Sequence, residues 1–211
     1  MNASAADPER RALVVVDMQP DFMPGGALPV DGGDALVEPV NRLLATGGFA
    51  LAVATQDWHP ADHVSFASQH AGRAPFETLE LYGREQTLWP DHGVQGTRGA
   101  ALQPALDQRP FAAVFRKGTS HDVDSYSAFR NNWDRHGERP KTGLAGYLRE
   151  RDVHHVVLVG LARDYCVLWS AEDAADAGFE TTVLWELTRP VDPASDGRVR
   201  AALAARGVNI D

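Results

Sequence analysis

Val153-His-His-Val-Val-Leu-Val-Gly-Leu161-Ala-Arg-Asp-Tyr-Cys166-Val-Leu-Trp-Ser-Ala-Glu-Asp-Ala-Ala-Asp-Ala177 decides how this chain folds. Its first nine residues form a short apolar run, rich in valine, of the kind that fits a strand buried on both faces. From about Cys166 to Ala177 the pattern changes to a helical one, and Gly178 follows as a stop. A strand feeding directly into a helix is half of a βαβ unit.

The same alternation extends in both directions. Ala12 to Val16 is a second buried apolar run, and Asp34 to Thr46 sets Leu36, Val37, Val40, Leu43 and Leu44 at helical spacing before Gly47-Gly48. Phe49 to Thr55 and Phe111 to Arg116 read as strands. Thr142 can cap a helix carrying Leu144, Tyr147 and Leu148, and Thr181 to Leu187 is the last strand of the series. Asp192 or Ser195 starts a final helix through Ala205, with Gly207 as its stop and a short apolar tail beyond. Strand–helix alternation predicts a mostly parallel, doubly wound sheet covered on both faces, an α/β/α sandwich of three layers. Two segments interrupt it: residues 61–91, turn-rich and weakly periodic, and Lys117 to Lys141. Loops this long inside a compact domain are usually functional or disordered. No repeat, low-complexity tract or linker is found, so residues 1–211 are read as one domain.

The bulk composition narrows the function classes. Of the 211 residues, 44% are hydrophobic and 23% charged, ordinary values for a globular chain. A formal net charge of −9 argues against a nucleic-acid partner and against a basic membrane patch. Cys166 is the only cysteine, so no intramolecular disulfide is possible, which suits a reducing compartment. Met1 to Arg11 is small and polar, unlike a secretory signal, and no stretch approaches the roughly 18–20 apolar residues of a membrane span. The cytoplasm is the expected location. Self-association is left open.

Open parallel sheets bind ligands at the carboxyl ends of their strands. Asp17 follows the first apolar run, Asp57 and His59 the second strand, Lys117 the third, and Cys166 lies beyond the fourth. A lone cysteine is often just a small buried apolar residue. At the first turn of a helix, however, the macrodipole and free amides would favour its thiolate and could bind an oxyanion. Asp17 could equally be a turn residue and Lys117 a surface lysine. Together with Cys166 they could move a proton between sulfur and a leaving amine. Asp57 and His59, two residues apart, would share a side of an extended segment, and His92 could add a third ligand. Two histidines with one carboxylate form a common open site for iron, manganese or zinc. His70, His121, His136, His154 and His155 fall in loops or at element edges, where surface roles are expected.

Six segments in order carry a likeness. They are Val16-Asp17-Met-Gln-Pro-Asp-Phe22, Thr55-Gln-Asp57-Trp-His59-Pro-Ala-Asp-His63, Trp89-Pro-Asp-His92, Phe115-Arg-Lys117-Gly118, Asp124-Ser-Tyr126-Ser-Ala-Phe129 and Val159-Gly-Leu-Ala162-Arg-Asp-Tyr-Cys166-Val167. The chain resembles, over nearly its whole length, the nicotinamidase/pyrazinamidase branch of the isochorismatase-like cysteine hydrolases. The resemblance implies the isochorismatase-like hydrolase fold and hydrolysis of nicotinamide to nicotinate and ammonia in NAD salvage. Pyrazinamide would be a side substrate, and other small amides are the alternative.

It further implies a triad of Asp17, Lys117 and Cys166, with the backbone amides of Ala162 and Cys166 as oxyanion hole. The Leu161–Ala162 peptide would be cis. Phe22, Trp89 and Tyr126 would flank the substrate ring, and Asp57, His59 and His92 would hold one divalent metal ion (zinc, iron or manganese), with His63 a further candidate. Three positions depart from the family pattern. Arg163 replaces a small threonine, and would alter access only if its side chain points inward. Gly93 replaces a common cysteine, with no expected bearing on ligation, and Trp185-Glu186 replaces an aspartate-containing strand end.

Overall fold

A computed structural model describes residues 10–211. The polar stretch before Arg10 lies outside the described residues. Six strands form one sheet: β1 (Arg11–Val16), β2 (Leu51–Asp57), β5 (Phe111–Lys117), β6 (His155–Leu161), β7 (Glu180–Arg189) and β8 (Asn209–Ile210). Their order is β5-β2-β1-β6-β7-β8, and every pairing is parallel. The chain builds outward from β1 through β2 to β5, then returns to the other side of β1 for β6. The switch point therefore falls between β1 and β6, where a doubly wound sheet opens a crevice at its carboxyl edge.

The alternation of side chains along each strand makes the three layers. Ala12, Val14 and Val16 of β1, with Val156 and Leu158 of β6, pack under α2 (Leu144–Arg149), α3 (Leu168–Asp176) and α4 (Asp196–Ala205). Leu13 and Val15, with Val157, Val159 and Leu161, face the opposite way and meet Leu36, Val40 and Leu44 at and within α1 (Val37–Thr46). All seven residues of β6 are buried, as its continuous apolar run demands. Gly160 lets β6 lie close to β1. Its φ is +109°, and a Cβ there would fall 2.1 Å from the Val16 carbonyl oxygen.

Strands and helices occur where the periodicity predicts them, with three differences. β2 is displaced towards its carboxyl end, so Asp57 closes the strand instead of following it. The helix expected from Cys166 begins at Leu168, and Cys166 belongs to a five-residue π-helical turn, Arg163–Val167. The segment 61–91 is not structureless. It contains an antiparallel hairpin of β3 (Thr78–Leu81) and β4 (Arg84–Thr87), pinned by Leu88 N–H donating to the Glu77 carbonyl. The apolar tail is β8, paired with Thr182 and Val183 of β7. No helix among the described residues is long and apolar enough to cross a membrane.

Candidate active site

The carboxyl ends of β1, β2, β5 and β6 bring Asp17, Asp57, Lys117 and Cys166 to one point. Asp17 sits at φ +46°, turning the chain sharply off β1. Its backbone N–H donates to Thr55 Oγ1 (3.1 Å), and that hydroxyl donates back to Asp17 Oδ1 at 2.6 Å. A threonine of the neighbouring strand thus fixes the carboxylate. Lys117 is the last residue of β5 and only 2% exposed, so it is no surface lysine. Its Nζ lies 2.8 Å from Asp17 Oδ2, donates to Asp57 Oδ1 and to the Ser125 carbonyl (3.1 Å), and is 3.4 Å from Cys166 Sγ.

These groups cannot all be charged at once, since one buried ammonium faces two carboxylates and a sulfur. Burial raises the Asp17 pKa above its ordinary value, Lys117 opposes this, and Asp57 adds to it. Burial also resists ionisation of Asp57, but Lys117 and His59 outweigh it and hold that carboxyl well below the usual range. Burial alone would neutralise Lys117, yet Asp17 and Asp57 keep its pKa well above normal. The Cys166 thiol is pushed well up, first by burial and then by Asp17 and Asp57, with only Lys117 opposing. Cys166 lies in the π-helical turn ahead of α3, and burial there opposes the thiolate that a place at a helix end would favour.

Beside this cluster lies a metal-ligand set. Asp57 Oδ2 is 3.7 Å from both His59 Nε2 and His92 Nε2, and the donor atoms of the three residues fall within 4.8 Å of one another. His59 Nδ1 is 3.0 Å from the Gly118 carbonyl and His92 Nδ1 is 2.7 Å from the Pro90 carbonyl. A carbonyl only accepts, so Nδ1 carries a proton in each ring and both Nε2 atoms are turned towards Asp57. The residues fit a divalent ion with nitrogen and oxygen ligands. Asp57 joins the two centres, giving Oδ1 to the lysine and Oδ2 to the histidines.

Gly118 makes this possible. Its φ is +63°, and a Cβ would lie 2.2 Å from His59 Cε1. Gly93 packs against the same group, since a Cβ there would fall 2.9 Å from the Asp57 Cβ. His63 stands apart from Asp57 and His92 and groups instead with His59 and Asp124. Its Nδ1 is 2.8 Å from Ser65 Oγ and its Nε2 is 3.2 Å from the Val123 carbonyl. Burial and the nearby His59 lower its pKa to about 4.

A cleft of about 350 Å³, mouth included, opens over the sulfur. Phe22, Trp89 and Tyr126, expected to flank a substrate ring, line it together with Ala162, Cys166, Asp57 and His92. Sequence reasoning missed Leu28, Asp124, Tyr165 and Val191. Tyr165 could have been found, since an aromatic residue beside the nucleophile candidate was visible in the segment quoted for Cys166. Trp89 stacks edge-on against Tyr165 at 4.8 Å, and its indole N–H donates to the Tyr126 hydroxyl at 3.2 Å. The Leu161–Ala162 peptide is cis. Arg163 does not line the cleft; its guanidinium donates to Thr188 and Asp196, away from the substrate side.

The profile described as Isochorismatase domain matches residues 11–207. A nicotinamidase of Acinetobacter baylyi is 48% identical over 181 residues, covering 86% of this chain and 82% of its own length. A nicotinamidase of Escherichia coli is 44% identical, with 95% and 93% covered. Among solved structures, the Acinetobacter baumanii nicotinamidase pyrazinamidase superposes with a TM-score of 0.90 at 41% identity, with 96% of each chain covered. The yeast nicotinamidase bound to the inhibitor nicotinaldehyde gives 0.87 at 34% identity, covering 95% of this chain and 98% of that one. The pyrazinamidase of Pyrococcus horikoshii in complex with zinc gives 0.76 at 36%, covering 96% and 98%.

Proposed function

The chain belongs to the isochorismatase family, and from that we propose that it is a nicotinamidase, hydrolysing nicotinamide to nicotinate and ammonia through a thioester on Cys166. One observation carries the reading: Cys166 Sγ, Lys117 Nζ and the Asp17 carboxylate share a buried contact at the floor of an aromatic cleft. The cleft suits a flat ring of the size of a pyridine, and the relatives named above are nicotinamidases and pyrazinamidases. Pyrazinamide is a side substrate on the same grounds.

The chemistry follows from the protonation states. Asp17 accepts the thiol proton while Lys117 steadies both partners, so no isolated charge appears in the buried site. Sγ attacks the carboxamide carbon, and the carbonyl oxygen, now anionic, is received by the backbone amides of Ala162 and Cys166. Asp17 returns its proton to the nitrogen, the C–N bond breaks and ammonia leaves. Water, giving a proton to Asp17, then adds to the thioester and releases the acid, and the proton returns to sulfur. Phe22, Trp89 and Tyr126 hold the ring during both halves. Asp57, His59 and His92 would bind one divalent ion, zinc, iron or manganese, which when bound supplies a Lewis-acid site for a heteroaromatic nitrogen. His63 is engaged elsewhere and is a reserve ligand at most.

One domain performs this reaction, and we place it in the cytoplasm, where a single unpaired cysteine is stable and NAD salvage takes place. The test is ammonia release from a panel of small amides, nicotinamide and pyrazinamide included, with and without chelator. Nicotinamide should be turned over fastest, with activity falling under chelation and returning with added metal. Equal turnover of aliphatic amides, indifferent to chelator, would overturn the reading.

A further inference from the structure

Residues 162–166 divide their work between two sides of the sheet edge. Ala162, Tyr165 and Cys166 line the cleft, whereas Arg163 and Asp164, both buried, turn the other way. Arg163 is 5% exposed and spends its whole guanidinium on what lies behind the turn. Its Nε donates to Thr188 Oγ1 (2.8 Å), Nη1 to both oxygens of Asp196 (2.8 and 2.9 Å), and Nη2 to the carbonyls of Trp185 (3.1 Å) and Thr188 (2.8 Å). The guanidinium also lies 3.9 Å above the Trp185 ring, and Arg200 lies 3.8 Å from the same ring. Asp164 completes the anchorage by accepting the backbone N–H of Val191 (2.8 Å) and Asp192 (2.9 Å) and the Ser195 hydroxyl (3.2 Å).

We propose that Arg163 is a positioning residue for the reaction, bolting the nucleophile turn to the end of β7 and the start of α4 so that the Ala162 and Cys166 amides stay aimed at the oxyanion. The inference rests on the amidase reading above. Its physical basis is the turn itself. A π-helical turn is an uncommon local arrangement, found mostly at functional sites, and it persists only where surrounding contacts determine it. Here those contacts come from one rigid fork whose donors each meet an acceptor, with a charge-assisted pair to Asp196. Trp185, one of the departures from the family pattern, provides the flat surface on which that fork rests. An outward-facing arginine therefore still reaches the chemistry, through the backbone it holds.

Arg163→Met keeps the buried stem and removes the fork. The expected result, measured on folded enzyme titrated for its thiol, is a kcat for nicotinamide lower by about tenfold to a hundredfold with KM within about twofold, because oxyanion alignment acts in the transition state and not on the bound ring. Methylguanidinium added to Arg163→Gly should recover part of kcat. Alkylation of Cys166 by iodoacetamide, followed by mass, should accelerate several-fold in Arg163→Met as the turn loosens, and this readout does not depend on the substrate assignment. Should Arg163→Met fail to fold, Asp196→Asn reads the same contact from its more exposed end, with lower kcat at unchanged KM expected. Wild-type kcat in the folded variants, or a change confined to KM, overturns the proposal. If the wild-type enzyme released no ammonia from nicotinamide, the substrate reading would fail instead, and an unchanged alkylation rate would overturn the positioning role on its own.

Discussion

Lys117 sits between two carboxylates and a sulfur, and its charge is what allows them to share a buried site. Lys117→Met should therefore do more than slow the reaction. It leaves Asp17 and Asp57 facing each other without a cation, and removing one member of a buried ion pair typically costs about 3–5 kcal/mol. The denaturant midpoint should fall accordingly, and ammonia release should fall below detection. Gly118 offers a sharper test of the metal site. In Gly118→Ala the new methyl would meet His59 within 2.2 Å at a backbone φ of +63°. Metal analysis of the purified variant should show a large loss of bound ion; full occupancy would mean that His59 is not a ligand. That Asp17, Asp57, His59, Lys117 and Cys166 gather at one rim was legible in the sequence, because strand ends and residue types together mark it, whereas His92 on its loop was legible only as a candidate third ligand. The raised pKa of the Cys166 thiol was not, because burial is its first cause and burial is a property of the fold.

At the scale of elements, what was legible depended on length and period. β1, β6 and α1 announce themselves through runs of apolar residues with one clear repeat. The hairpin β3–β4 does not, since each strand has four residues and neither buries a continuous face. The two-residue β8 is too short to show a period at all. The hairpin matters nonetheless. Gln86 of β4 is buried and donates to Asp124 Oδ2 (2.7 Å) and to the Tyr126 hydroxyl (3.3 Å), both residues of the cleft wall. Gln86→Leu removes these donors while keeping the volume. KM for nicotinamide is expected to rise about three- to tenfold with kcat within twofold, since the loss of one or two hydrogen bonds of ordinary strength falls on ring binding. Steady-state kinetics checks this, and an unchanged KM would mean that the hairpin only covers the cleft.

For the whole molecule, the candidate metal ligands Asp57, His59 and His92 hang from strand ends and loops, while the two apolar layers pack without them. Chelation should therefore abolish activity and leave the far-ultraviolet dichroism intact. Added metal should raise the melting temperature with the logarithm of its free concentration, with about 2.7 kcal/mol of stabilisation at a hundred times Kd. Unfolding on chelation would show instead that the ion is part of the core. One sulfur carries the proposed chemistry, and acid quenching during turnover of nicotinamide traps what forms on it, with intact and peptide mass spectrometry to find the acyl group. A pyridinecarbonyl adduct is expected on the peptide containing Cys166, present in the wild-type enzyme and absent, along with turnover, from Cys166→Ala. Undiminished ammonia release by that variant, with no adduct on any peptide, would contradict it.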